Sequence, residues 1–432
     1  MTSTENIKEL FFNSLKRGTG EAYLILKNNP TIDFSALIVK GATKNYAYDP
    51  QCEGSRASYI YRLIQKSKQK EKIIKTVLKK WQTKTNDFWS SDQMFDLAVL
   101  LYKEGYLKDK NLLYERFEDN YLQYSEFWGE ERLIAIDGVE GILKVAEVIG
   151  KTIFENPENW VDSYMIDDFQ KRNKAIDIYA ELERASMKSQ NIKAYYNSIL
   201  ENKWKVSRIR KIKRFSYELV KESIEDRRFG ILQSSRNIEL TDTEVEKLAN
   251  EFLSEKDNQL KERYLRFFRS RKFPFDYKPI FQIASGKNPK KTRLVEFAVE
   301  SLKHFSSDEI RQLALDKFKT EKNPCDYLCL LVGNYQKGDD KILTEITNRS
   351  DNYDFIHSLV WGYIEIYKAN PTEECKEPLE GIYNKMNCGL HRADIVKILI
   401  DNNVLSDKIF KELEFDSYDE VRKLFRQKKN CS

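Results

Sequence analysis

The sequence predicts an all-α fold, an α-solenoid of stacked antiparallel helix pairs. Three observations predict it. Helix-length amphipathic segments follow one another over residues 6–426 with little between them but short turns. Only 16 Gly and 9 Pro interrupt 432 residues. No stretch alternates apolar and polar residues as a half-buried strand would. A long chain of this kind buries its apolar faces by stacking each helical unit on the next, and it offers a surface for binding more readily than a pocket for chemistry.

The elements follow in order. A first helix covers 5–16 and stops at Gly18 and Gly20, since glycine readily takes the left-handed position that ends a helix. The pattern resumes over 21–27, and Asn29 with Pro30 separates it from a third segment that starts at Asp33. Asp49 and Pro50 close a loop, after which Ser55 caps a helix over 56–66. Helices follow over 71–81, 92–103 and 109–118. The apolar series Leu133, Ile134, Ile136, Val139, Ile142, Leu143, Val145 and Val148 fits a buried helix or helix pair within 128–154, with Asp137-Gly138 as the break and Asn156-Pro157 as the stop. Segments 163–188 and 192–202 come next. Over 204–226 the residues Trp204, Ile209, Ile212, Phe215 and Leu219 make the clearest one-sided stripe in the chain. Thr241 or Asp242 caps a helix over 244–254. The stretch 269–279, with Pro274 and Pro279, is the least helical and is the expected hinge.

The last third reads as helix pairs. First helices begin near Thr292, Asn323, Tyr353 and Leu390, and second helices near Ser306, Asp339, Thr372 and Ser406. The interval is about 30–37 residues, close to that of known helical repeats. The polar segment 418–426 suits a cap. The pairing of 292–305 with 308–318, and of 392–402 with 406–413, resembles HEAT or armadillo-type repeats. That resemblance implies a right-handed superhelix and a concave binding face. Three regions are expected: an N-terminal helical region 1–202, basic central helices 203–288 with a hinge near 274–279, and HEAT-like repeats 289–432.

Composition narrows the class. Hydrophobic residues at 41% suffice for a core, and charged residues at 33% fit an elongated shape with much surface. With 24 Tyr and 24 Phe the chain is too aromatic for disorder. No apolar run reaches membrane-spanning length, and the first residues lack the pattern of a secretory signal. The six cysteines are scattered, which suits reduced thiols in the cytoplasm.

The charge is regional. Residues 203–293 hold 24 Lys and Arg against 13 Asp and Glu, an excess of 11, so the rest of the chain carries −6 of the overall +5. The residues expected to contact a polyanion are Lys203, Arg210, Lys211, Lys213 and Arg214 on one helix, then Arg266, Arg269, Lys290 and Lys291. Such clusters on a concave array could track a phosphate backbone. The plainer reading is a solvated face partly neutralised by Glu218, Glu222 and Asp226.

Catalytic and metal patterns are sparse. Alkylpurine DNA glycosylases built on this architecture use Trp residues, an Asp and an Arg in a cleft. Here Trp128 with Glu131, Trp89 with Asp92, and Trp160 with Asp162 are the pairs to weigh, and none extends into that family's motif. Cys325 with Cys329, and Cys388 with His391, have spacings that zinc tolerates, but buried cysteine in a core is the commoner outcome. His304 and His357 have no ligand partners nearby in sequence. The turn Arg17, Gly18, Thr19, Gly20 lacks the Gly-Lys-Ser/Thr end of a phosphate loop. Cys52 sits near a helix N-terminus, yet Glu53 opposes a thiolate, and a capped loop with an Arg56 salt bridge explains the segment. No cofactor and no metal are expected. The expected function is a non-enzymatic scaffold that holds a macromolecular partner, a protein first and DNA or RNA second, with base-excision chemistry third.

Overall fold

The computed structural model describes residues 3–83, 87–124, 129–203, 215–226, 240–286 and 292–431. Among them every regular element is a helix, so the all-α, solenoid-like expectation holds. Among the described residues no helix is long and apolar enough to cross a membrane. The chain divides into two compact units: unit 1 is Met1–Ser207, Asn387–Gly389 and Lys408–Asn430, and unit 2 is Arg208–Met386, Leu390–Asp407 and Cys431–Ser432.

The N-terminal run holds α1 (Ser3–Arg17), α2 (Glu21–Asn28), α3 (Ser35–Ala42), α4 (Pro50–Glu53), α5 (Ala57–Lys66), α6 (Lys70–Trp81) and α7 (Phe88–Lys103). It continues with α8 (Asn111–Tyr124), α9 (Glu130–Asp137), α10 (Val139–Glu155), α11 (Tyr164–Arg172), α12 (Ile178–Ser186) and α13 (Gln190–Glu201). Two apolar cores fill unit 1, and α7 supplies both, with Leu97 and Leu101 on one side and Met94, Phe95 and Ala98 on the other. A helix buried on two sides loses its polar stripe, which is why Ser90, Ser91, Asp92 and Gln93 of α7 are all buried.

The second run begins with α14 (Tyr217–Glu225), α15 (Asp242–Ser254), α16 (Asn258–Phe268), α17 (Lys278–Ser285), α18 (Arg293–Leu302), α19 (Asp308–Thr320) and α20 (Asp340–Asn348). It ends with α21 (Tyr353–Ala369), α22 (Lys376–Tyr383), α23 (Gly389–Asp401), α24 (Asp407–Leu413) and α25 (Asp419–Cys431). Thr241 and Glu244 form a reciprocal capping box at the start of α15. Around the expected hinge, Phe273 is buried against Phe252 and Phe268, and Pro279 lies in the first turn of α17, where its missing N–H removes no helix bond.

Each helix leaves carbonyls unpaired at its C-terminal end. Here many are satisfied by a polar side chain from further along the chain, at an interval close to one repeat. In unit 1, Arg56 donates to Lys16 O at 2.7 Å and Gln93 donates to Gly41 O and Ala42 O at 2.9 and 3.2 Å. Arg116 donates to Trp81 O and to Thr83 O. In unit 2, Arg263 reaches Ser223 O at 2.6 Å, Asn334 reaches Phe305 O at 2.9 Å and Arg349 reaches Phe318 O at 2.7 Å. Asn370 and Lys385 do the same for Val332 O and Thr347 O, both at 2.9 Å. One layer of helices thus caps the layer before it. That couples apolar stacking to backbone satisfaction and gives the stack its register.

Two expectations need correction. Segment 163–188 is two helices, because Asp177 caps α12 through Ala180 N and ends the reading as one. The helix expected from Asn323 is a 3-10 turn over Cys325–Leu331. The polar segment 418–426 follows residues that pack on the N-terminal helices of the same unit. Ser417 N donates to Gly18 O at 2.8 Å, and Phe415 stacks on Tyr23 with centroids 4.0 Å apart.

Candidate partner-binding cleft

A cavity of about 810 Å³ opens in unit 1 between the C-terminal end of α8, the start of α9, the end of α10, the loop into α11, and α13. That volume is in the range of ordinary ligand sites. Its shape starts from a glycine. α10 and α13 approach so closely at Gly150 that a Cβ there would stand 1.9 Å from Asn191 O. Glu147 of α10 fixes the pairing by accepting from Ser189 Oγ at 2.5 Å and Asn191 Nδ2 at 2.7 Å. This contact holds Tyr195 of α13 in the cavity wall, where it is fully buried.

The loop from α10 to α11 forms the rim. Asn156 ends α10, with Pro157 behind it, and Asn159 Nδ2 donates back to Thr152 O at 3.1 Å. Val161 is fastened to α13 by Ser198 Oγ, which accepts from Val161 N at 2.9 Å and donates to Val161 O at 3.2 Å. Between these anchors Trp160 is left 66% exposed. Asp162 accepts from Tyr164 N at 2.9 Å and so also shapes the start of α11.

The described lining is aromatic and acidic. Tyr121, Tyr124, Trp160, Tyr164 and Tyr195 contribute rings, and Glu130, Glu155, Glu158 and Asp162 contribute carboxyls, with no Lys or Arg among the described lining residues. Glu130 lies at the first turn of α9, three residues before the buried Leu133 and therefore on the inward face. Its Oε2 is shut off from solvent and has no hydrogen-bond partner among the described residues. Burial pushes its carboxyl up to about 7, against the opposing pull of its own backbone N–H and of Arg132. Arg132 meanwhile pairs with Asp96 at 2.5 Å and Asp92 at 3.5 Å, and burial raises Asp92 to about 6.

This has a consequence for stability. The folded chain holds the Glu130 proton more tightly than the unfolded chain does. Stability therefore falls as pH rises from the ordinary glutamate range through about 7. Glu130→Gln removes that loss. The variant should match the parent near pH 4.5 and exceed it at pH 8 by on the order of 1–3 kcal/mol in urea unfolding. A difference that stays constant between pH 5 and 8 would show that Glu130 does not titrate in this way.

Of the three Trp–carboxylate pairs, only Trp160 with Asp162 lines the cavity. Trp89 packs edge-on against Phe88, while Asp92 is buried beside Arg132. Trp128 lies outside the described residues, and its companion Glu131 is exposed. The carboxyl that matters here is the neighbouring Glu130.

The expected polyanion residues are only partly described. Arg210, Lys211, Lys213, Arg214, Lys290 and Lys291 lie outside the described residues. In unit 1, Lys203 is exposed and sits 5.8 Å from the Tyr179 ring. In unit 2, Arg266 is half-buried, and Arg269 pairs with Glu300 at 3.2 Å over the Phe297 ring. Arg271 and Lys272 rest on Phe267 and Phe305. Arg269, Arg271 and Lys272 are thus taken up by aromatic faces and a carboxylate of their own unit.

For metals, His357 is not isolated as its sequence surroundings suggest. Its ring meets that of His391 within unit 2, with centroids 4.5 Å apart. Cys329 is half-buried, and desolvation pushes its thiol up to about 12, which keeps it protonated. Cys52 is exposed, and its hydrogen bond with Asp49 raises its pKa, so the helix N-terminus there does not produce a thiolate. The Arg56 salt bridge expected in that loop is present, with Nη2 2.9 Å from Glu53 Oε2.

Comparison with protein-family models, with curated proteins and with solved structures finds no match.

Proposed function

We propose that this chain is a non-enzymatic helical-repeat binding protein that holds a basic segment of a protein partner in the cleft of unit 1. The observation that carries this reading is the pairing of an exposed Trp160 with four carboxyl residues in one cavity of about 810 Å³. An exposed indole at a cavity mouth is the kind of anchor that dominates protein interfaces. The surrounding carboxylates select a positive partner and repel phosphate. A superhelix with a HEAT-like concave face would suit the same role, because stacked repeats hold such a cleft rigid.

A fluorescently labelled octapeptide of alternating Lys, Arg and Gly tests the proposal against an acidic octapeptide and a single-stranded oligonucleotide. The basic peptide should bind, weaken as salt rises, and lose about tenfold or more in affinity in Trp160→Ala. No binding of the basic peptide, or binding that ignores Trp160→Ala, would overturn the reading. Tight oligonucleotide binding that Trp160→Ala leaves intact would favour the polyanion alternative through the 203–293 region. Base-excision chemistry draws on the same Trp160 and Asp162. Release of the damaged base from an alkylated form of that oligonucleotide would revive it.

A further inference from the structure

The following rests on the cleft being the partner site and concerns which group of the partner it takes. Rim and interior differ in what they offer. Trp160 presents an open aromatic face at the rim. Inside, the Glu130 carboxyl lines the cavity, and among the described residues no donor reaches its solvent-closed Oε2. The nearest cation on the same helix, Arg132, is held by Asp92 and Asp96. A carboxyl in the wall of a cavity that also presents an exposed indole is the complement of a donor-rich, planar cation.

We propose that the cleft holds a single arginine side chain of the partner, its guanidinium donating to Glu130 and its stem lying along Trp160. Two features favour arginine over lysine. The guanidinium presents parallel N–H groups that match one carboxylate, and its flat face stacks on an aromatic ring. It is also less strongly hydrated than an ammonium, so entering a half-closed cavity costs it less.

The charged and titratable groups facing Glu130 define the proton balance. They are Glu131 and Arg132 on α9, Asp92 on α7 and Tyr195 on α13, and Asp162 of the rim acts on Tyr195 as Glu130 does. Two of them, Glu131 and Asp92, are carboxyls that oppose ionisation of Glu130, and burial keeps it protonated up to about pH 7. A guanidinium seated there stabilises the carboxylate, so the Glu130 proton leaves to solvent as the cation enters. Binding below pH 7 therefore releases about one proton per arginine held.

Calorimetric titration of the full chain at pH 6, in two buffers of different ionisation enthalpy, measures this directly. The probes are acetylated, amidated tetra-arginine and tetra-lysine. Tetra-arginine should bind about tenfold more tightly and release close to one proton. Glu130→Gln should abolish the proton release and most of the preference while keeping its melting transition, and Trp160→Ala should weaken both peptides. Equal binding of the two peptides without proton release would overturn the arginine assignment and leave the cleft reading standing. Failure of both to bind would overturn the cleft reading with it.

Discussion

Gly150→Ala is expected to lower the stability of the chain by about 3 kcal/mol or more, the upper end of what overpacking costs. The added methyl would stand 1.9 Å from Asn191 O, which is backbone and cannot rotate aside. Relief requires α10 and α13 to separate, breaking the contacts of Ile149, Ile153, Tyr195 and Ile199 in one of the two cores of unit 1. Alanine favours helix over glycine by up to about 1 kcal/mol, so a net loss can come only from the clash. Gly138→Ala is the control. That glycine has φ +57 and ψ −123 and nothing near its Cβ position, so its cost is backbone strain alone, about 1–3 kcal/mol. Urea unfolding of both variants should rank Gly150→Ala clearly below Gly138→Ala. Because Tyr195 moves with α13, Gly150→Ala should also weaken peptide binding in the cleft under conditions where it remains folded.

Arg56→Met is expected to cost about 3–5 kcal/mol, the usual result of removing one partner of a buried ion pair. Arg56 and Glu53 are 4% and 2% exposed, so neither charge is served by water. The same guanidinium donates to Lys16 O at 2.7 Å and Asn387 O at 2.9 Å, tying α1 and the segment before α23 to the loop 48–56. Met leaves the Glu53 charge with only the N–H groups of Tyr48 and Asp49 to serve it, and takes the Arg56 donor from two carbonyls. Adding Glu53→Leu should recover part of the loss, since it removes the uncompensated charge, but not all of it, since the carbonyls lack Arg56 and the two N–H groups lose their Glu53 acceptor. Thermal melts of the single and double variants measure the difference. A single variant within about 1 kcal/mol of the parent would mean that this hub contributes little.

What could be read from the sequence was local. The break at Gly138, the stop at Asn156-Pro157 and the cap at Thr241 all appear where the chain places them, because each depends on residues within one turn. The caps between layers could not be read. Gln93 closes α3 from about 50 residues away, and nothing around Gln93 marks the carbonyls it serves. The split between α11 and α12 was missed because neither Gly nor Pro marks it, although Asp177 three residues before Ala180 is a cap signal. At the cleft, the Trp160–Asp162 pair was visible but could not be ranked above the other two pairs, since only tertiary packing decides which pair borders a cavity. Glu130 was overlooked in favour of Glu131. Its place three residues before Leu133, on the face that the apolar series buries, was the available signal.

The central claim is that unit 1 carries the binding site, in the cleft that Trp160 and Glu130 share. Hydrogen exchange of the full chain with and without the basic octapeptide tests it most directly. The account predicts slowed exchange in residues 130–137 and 152–165, with little change across 240–286. Slowing confined to residues outside unit 1, or none at a peptide concentration that saturates binding, would contradict it.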